Sequence, residues 1–200
     1  MTTLSKILDR IGGVLISPMR TFEIMIVEGL TPLEGTTVSM LSLLGFAFIA
    51  MTMSTVNAPV ILTFMLFIPI ITLIWVCYIF ALHKIIVAIY KVPGLFKEFF
   101  TLSSYALASV IMVIPYVVLG FALNLLDNFT FGIAGIIIGI VWFVWFNILL
   151  WVATKTYYRI DKKQFLVALI ISWIFLTILI VIGSLIFAFI ITGLVVRIII

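Results

Sequence analysis

The side chains that could do chemistry in this chain are few and widely spaced. One cysteine, Cys77, and one histidine, His83, exclude an intramolecular disulfide and a zinc site of three or four Cys and His ligands. The seven Asp and Glu residues are scattered, so no paired-carboxylate site is expected. The sequence contains no HExxH, GxSxG or phosphate-binding glycine loop. We therefore expect a protein that is not an enzyme and that has no cofactor or metal.

Four polar side chains fall within or at the ends of long apolar runs: His83, Ser104, Tyr105 and Asn147. Inside a membrane such groups usually face another helix and hydrogen-bond to it, which is the first interpretation for Ser104, Tyr105 and Asn147. His83 is first interpreted as a polar residue at the interfacial end of the second span. The alternatives are a ligand or ion contact at Asn147, a pH-responsive switch at His83, and a binding cavity at Tyr105. No acidic residue is expected at mid-membrane, so an ion-coupled pump is not predicted.

Membrane helices must position these groups, because 66% of the 200 residues are hydrophobic and only 9% are charged. A soluble domain has about 25% charged residues, and a span needs about 20 apolar residues. The sequence predicts an all-α, polytopic membrane bundle of five transmembrane helices, preceded by a cytoplasmic amphipathic helical segment over 1–35. The membrane domain is 36–200, and its predicted spans are about 36–54, 60–82, 99–126, 132–153 and 164–196.

Two features predict irregular spans. Pro69 and Pro115 lie inside the second and third spans, and proline removes a backbone donor and kinks a helix. The fifth stretch is long for one bilayer, so we expect a kink or break near Gly183 or Gly193, or a tail beyond the membrane.

Basic residues alternate between the two sides of the predicted spans. Ten of the eleven Lys and Arg residues fall in the amino-terminal segment and the second and fourth loops, and Arg197 falls on the other side. The positive-inside rule therefore predicts a cytoplasmic amino terminus and an external carboxyl terminus. Acidic residues interleave with the basic ones, so nucleic acid is not an expected partner. The sequon at Asn128 lies so close to the membrane that its glycosylation is not expected.

The amino-terminal segment carries a clear helix signal. Ser17 can cap a helix, Pro18 suits its first position, and Gly29 suits the position just past its end. Phe22 lies on the apolar face of this helix. It either packs over the cytoplasmic ends of the spans or binds lipid or a partner.

The fourth span contains a GxxxG motif, Gly135 to Gly139, which permits close approach of two helices. We favour packing within one chain, and a homo-oligomer through these glycines is the alternative.

Short motifs resemble the Yip family (Ypt/Rab-interacting proteins). Ser17–Phe22 precedes the first span, and Gly94–Lys97 enters the third span ahead of Ser104 and Tyr105. Family members have a Pro…Phe helix and a Gly-x-Phe-Lys-like turn at these places, followed by a Gly-Tyr…Pro segment. Ser104 replaces the glycine, and Pro115 lies later than the family's proline. The family's long cytoplasmic domain is missing, which argues against a small GTPase as partner and suggests a compact, prokaryote-like member.

The resemblance implies a non-enzymatic membrane scaffold, adaptor or bilayer-organising protein, linked in this family to membrane trafficking. Its expected partners are the lipid bilayer and other membrane proteins. The expected location is a prokaryotic plasma membrane, or the endoplasmic reticulum and Golgi. The predicted interaction surface comprises Pro18, Phe22, Gly94, Phe96 and Lys97. The alternative is a small facilitator or lipid translocator with a cavity near Tyr105 and Asn147.

Overall fold

The computed structural model of the chain consists of helices joined by short turns. It describes the backbone of residues 3–53, 58–123, 125 and 129–199, and the side chains of 4–45, 47, 49, 68–120, 122–123, 125 and 129–185. The α-helices are α1 (Thr3–Ile16), α2 (Pro18–Glu28), α3 (Pro32–Met53), α4 (Ala58–Tyr90), α5 (Phe96–Leu107), α6 (Ile114–Ala122), α7 (Phe129–Tyr158) and α8 (Lys162–Ile199). A 3-10 segment, Ala108–Met112, separates α5 from α6. The described chain has no strand, which confirms the all-α prediction.

Four segments of the described chain are long and apolar enough to cross a membrane: Ile68–Tyr90, Phe96–Gly120, Phe129–Tyr158 and Lys162–Leu185. They overlap the second to fifth predicted spans. The first predicted span overlaps α3, but several side chains in the last turns of α3 lie outside the described residues. The count of five spans therefore stays a prediction, and so does the side on which each terminus lies. Asn128 is also outside the described residues.

The centre of the bundle is a close, parallel pairing of α3 with α5. A Cβ added at Gly35 would lie 2.7 Å from the Cα of Thr101, so only glycine allows the two backbones to approach this closely. Further along, Ser39 Oγ lies 2.6 Å from Ser104 Oγ, and Gly45 faces Val110. Small residues at helix contacts are typical of membrane bundles, where close packing supplies much of the free energy of helix association.

The third span is broken rather than merely kinked. The 3-10 segment ends just before α6, and Pro115 is the second residue of α6. Proline has no N–H to donate to the carbonyl of Ile111, and its ring crowds that carbonyl. The disruption expected from Pro115 is therefore found in the preceding turn.

The fifth span has no break in the part of the chain that the structure describes. α8 continues through both Gly183 and Gly193, so the predicted break is not found there. A kink at either glycine and a tail beyond the membrane stay predictions. A glycine inside a helix costs only about 1 kcal/mol relative to alanine, whereas an unpaired backbone group in lipid costs several. Backbone hydrogen bonding therefore keeps α8 continuous. Similarly, α4 continues through Pro69.

The two amino-terminal helices pack on each other and against the bundle. α1 contacts α5 and the 3-10 segment, and α2 contacts α7. The predicted cap is absent, because Ser17 makes no side-chain bond to the start of α2; its carbonyl instead accepts from Thr21 N at 3.1 Å. Gly29, with φ +87°, ends α2 in a conformation that favours glycine.

Candidate functional site

A cluster of charged and hydroxyl side chains joins α1, α2, α3 and α5. Arg10 donates from Nη2 to Glu28 Oε2 at 2.7 Å and from Nη1 to Glu34 Oε1. The hydroxyl of Tyr105 donates to the same oxygen of Glu34. Lys6 Nζ lies 3.1 Å from Glu28 Oε2. We refer to Lys6, Arg10, Glu28, Glu34 and Tyr105 as the Arg10 cluster.

Burial makes these contacts energetically important. The side chains of Arg10 and Glu34 are 7% and 10% exposed, and a charge so far from water must be paired to be tolerated. Glu28 is more exposed, and its hydrogen bonds from Arg10 and then Lys6 hold the pKa of its carboxyl below the usual range. The cluster therefore ties the amino-terminal helices to the first turn of α3 and to α5.

The four polar residues predicted to form an intramembrane cluster have separate partners. Tyr105 bonds to Glu34, and Ser104 Oγ lies 2.6 Å from Ser39 Oγ and also donates to Phe100 O. Neither is bonded to His83 or Asn147. The structure therefore places two of them at the α3–α5 contact and the other two elsewhere.

His83 is buried where α4 meets α5 and α7. Its Nδ1 lies 2.5 Å from the hydroxyl of Tyr158, and its ring packs against Phe96 and Phe99. His83 has a neutral hydroxyl partner, and Lys84 beside it is exposed. The bond links the last turn of α7 to α4.

The turn before α5 is held by two adjacent tyrosines. The hydroxyl of Tyr157 donates to Glu98 Oε2 at 2.6 Å and accepts from Leu95 N at 2.8 Å. A Cβ added at Gly94 would lie 2.5 Å from Tyr158 Cε1, so the turn needs glycine at that position. Gly94 therefore allows this turn to pack closely against the ring of Tyr158.

The five residues of the predicted interaction surface differ in exposure. Phe22 is fully buried, Pro18, Gly94 and Phe96 are partly buried, and Lys97 is exposed. Phe96 packs edge-on against Phe80. Such a surface would therefore have Lys97 as its most accessible member.

The spans enclose an apolar cavity and a groove that bear on the predicted cavity near Tyr105 and Asn147. The apolar cavity of about 440 Å³ is lined by Trp75, Tyr78, Leu107, Trp142 and other apolar residues, with Tyr105 and Asn147 absent from its wall. The groove of about 570 Å³ lies between α7 and α8 and includes Asn147, whose Nδ2 donates to Phe143 O at 2.8 Å. Tyr105 lines neither of them, so Tyr105 and Asn147 do not share either space.

The two glycines of the GxxxG motif have different surroundings. A Cβ added at Gly135 would lie 3.1 Å from the hydroxyl of Tyr116, whereas one added at Gly139 would meet nothing within 4 Å. Gly135 therefore packs against Tyr116 of the same chain, whereas there is space for a side chain at Gly139.

Sequence reasoning missed the partners that complete these contacts. Arg10 and Glu34 were counted only as topology charges, although Arg10 lies among the apolar positions Ile7, Ile11 and Val14, which are buried beside it. A cation within an apolar helix face is the signal that could have identified it. Tyr157 and Tyr158 are likewise not among the residues that the sequence singles out.

Among the described residues, no group of three His, Cys, Asp or Glu side chains could hold a metal ion. No family model, no curated protein and no solved structure matches the chain.

Proposed function

We propose that this chain is a non-enzymatic integral membrane protein that organises the bilayer and scaffolds other membrane proteins, with its amino-terminal helices as the working part. The main observation is that α1 and α2 are tied to the bundle by the Arg10 cluster while keeping large apolar side chains exposed. Ile7 and Ile11 of α1 are buried, but Leu4 and Leu8 are 59% and 54% exposed.

The position of α1 supports an effect on lipid. α1 contacts α5 and the 3-10 segment, so it lies beside the third span rather than beyond its end. Exposed leucines one turn apart at that depth would displace lipid tails in the inner leaflet, and an apolar helix face inserted in one leaflet is sensitive to curvature. The mixed charges of this segment argue against simple attraction to anionic lipid.

The test is recruitment of the full-length protein from flat membrane into narrow membrane tubes drawn from giant vesicles. Wild type should be enriched in the tubes, and the variant Leu4→Ser with Leu8→Ser should lose most of that enrichment. Leu33→Ser with Leu95→Ser is the matched control, because these two leucines are also exposed but lie outside α1. Equal enrichment of both variants would contradict the proposal.

The scaffold role is tested by proximity labelling in the native host. A defined set of neighbouring membrane proteins that disappears when residues 1–28 are removed would support it. Recovery of no specific neighbour would contradict it. The Yip resemblance and its link to trafficking remain predictions, and Ser17–Phe22 contributes to them through a buried Phe22 rather than through an open surface.

The alternative, a lipid facilitator, is favoured by one observation. The apolar cavity is lined by Leu107 and Trp142, directly beside the break in the third span. Broken helices next to cavities are common in transporters. Vesicles containing the protein should then move fluorescent lipid between leaflets faster than empty vesicles, and an equal rate would exclude this role.

A further inference from the structure

The groove between α7 and α8 runs inward from the loop that joins them. Phe143, Asn147 and Trp151 line it from α7, and Lys162, Leu169 and Trp173 line it from α8. These α7 residues are spaced by four, so they share one helix face. Only one lining residue, Lys162, is charged, and it lies at the end nearest the loop.

That loop concentrates positive charge at the mouth of the groove. Lys155, Arg159, Lys162 and Lys163 are all exposed, and Asp161 is the one acid among them. Asp161 Oδ1 accepts from Gln164 N at 2.8 Å, so this carboxylate caps the start of α8.

The basic residues also have no carboxylate partner in the described part of the chain. Lys155 Nζ lies 5.4 Å above the ring of Trp151, a lining residue of the groove. Its cation therefore lies at the loop end of the groove, where it is available to an anion.

We propose that this groove binds an anionic phospholipid of the leaflet at the loop end, with the phosphate at Lys162 and one acyl chain along the groove to Trp173. Basic pockets between membrane helices are known to bind anionic lipid head groups. The positive-inside rule accounts for basic residues in the loop. A zwitterionic lipid brings its own cation beside the phosphate, so only an anionic lipid would balance the net positive charge at the groove's mouth.

The length of the groove fits one acyl chain. Lys162 to Trp173 spans about 16 Å at a rise of ~1.5 Å per residue, about half of a ~30 Å hydrocarbon core. Asn147 lies about as deep as Trp173, because each is 11 residues from the loop end of its own helix in this antiparallel pair. The groove thus offers a cation at the loop end and an apolar channel below it, in the order in which a phospholipid presents phosphate and chain.

The probe is phosphatidylglycerol with a photoreactive diazirine on one acyl chain, diluted into phosphatidylcholine nanodiscs that contain the full chain. Labelled peptides are mapped by mass spectrometry. Wild type should be labelled within 143–173, and unlabelled phosphatidylglycerol should compete while added phosphatidylcholine should not. Lys162→Gln should weaken the competition about fivefold, the equivalent of about 1 kcal/mol per Lys near an anionic surface.

Lys97→Gln is the matched control, because Lys97 is equally exposed but lies outside the groove. It should keep the wild-type competition. The proposal is overturned if both lipids compete equally in wild type, or if both lysine variants lose competition to the same extent. Thermal melting of each variant confirms that it is folded.

This groove is independent of the proposed role of α1. The variant Leu4→Ser with Leu8→Ser should retain labelling of 143–173, and Lys162→Gln should retain enrichment in membrane tubes. A negative result in one of these experiments therefore does not contradict the proposal that the other experiment tests.

Discussion

The guanidinium of Arg10 donates to the carboxylate of Glu28 at 2.7 Å, although the two residues belong to different helices. Because Arg10 also bonds to Glu34, one cation holds α1, α2 and α3 together. This geometry makes the packing of the amino-terminal helices depend on the ionisation of its carboxylates.

The first prediction concerns pH. The pKa of Glu28 is lower in the folded chain than the ordinary value of about 4.3, because Arg10 and Lys6 bond to its ionised form. The bonds therefore contribute stability above that ordinary value, and the contribution is lost as the pH falls through the lowered pKa. The protection factors of α1 amides in nanodiscs, which correct for the slower intrinsic exchange in acid, should fall below about pH 4.3. Glu28→Gln should exchange faster at neutral pH and respond less to acid; an equal acid response in both would contradict the prediction.

Replacing Arg10 alone should lower the free energy of unfolding more than replacing both Arg10 and Glu34. Arg10→Met leaves the carboxylate of Glu34, with a side chain 10% exposed, without its cation. Breaking a buried ion pair in this way costs about 3–5 kcal/mol of unfolding free energy. Denaturation in mixed micelles should show this loss, and Arg10→Met with Glu34→Gln should recover part of it. A double variant no more stable than Arg10→Met would show that the charge is not the cause.

The turn before α5 should be sensitive to a single methyl group. Gly94→Ala places a Cβ 2.5 Å from Tyr158 Cε1, so the rings must move. We expect a loss of about 1–3 kcal/mol in unfolding free energy, as for other overpacked sites. Gly139→Ala is the control, because its Cβ would meet nothing within 4 Å, and it should be neutral or slightly stabilising. Similar losses in both variants would contradict this account of the turn.

Substitutions at His83 and Tyr158 should have non-additive effects on the free energy of unfolding, because the two side chains are hydrogen-bonded to each other. Tyr158→Phe leaves the buried imidazole Nδ1 without its partner, at a cost of about 1–3 kcal/mol. His83→Phe made in the Tyr158→Phe background removes the unpaired group, so it should cost less than His83→Phe alone. A double-mutant cycle of unfolding free energies measures this difference. Additive effects would mean that the two side chains do not stabilise each other.

Helix type and approximate position could be predicted from the sequence, because they depend on local apolar runs and turn residues. Pro18 begins α2 and Gly29 follows its last residue, and the 3-10 segment lies within one turn of Pro115. The absence of the predicted break at Gly183 has a physical cause: a glycine that would end a helix in water is held in the helix where lipid offers no other hydrogen-bond partner.

The contacts of the candidate site could not be predicted in the same way. Glu34 meets Tyr105 across 71 positions of sequence, and His83 meets Tyr158 across 75. Such pairs depend on the register of α3, α4, α5 and α7 against one another, which no local pattern encodes. The sequence singles out the isolated polar residues, but their partners are visible only in the packed structure.

The break at Ala108–Met112 gives the two halves of the third span different mechanical roles. The half before the break is fastened by Ser104 and Tyr105 to α3, whereas the half after it is bonded through Tyr116 to the carbonyl of Phe131 in the first turn of α7. A 3-10 turn has poorer hydrogen-bond geometry than an α-helix and deforms more readily. Lateral pressure on the half after the break would therefore bend the molecule at this segment and leave the half before it, with the amino-terminal helices, in place.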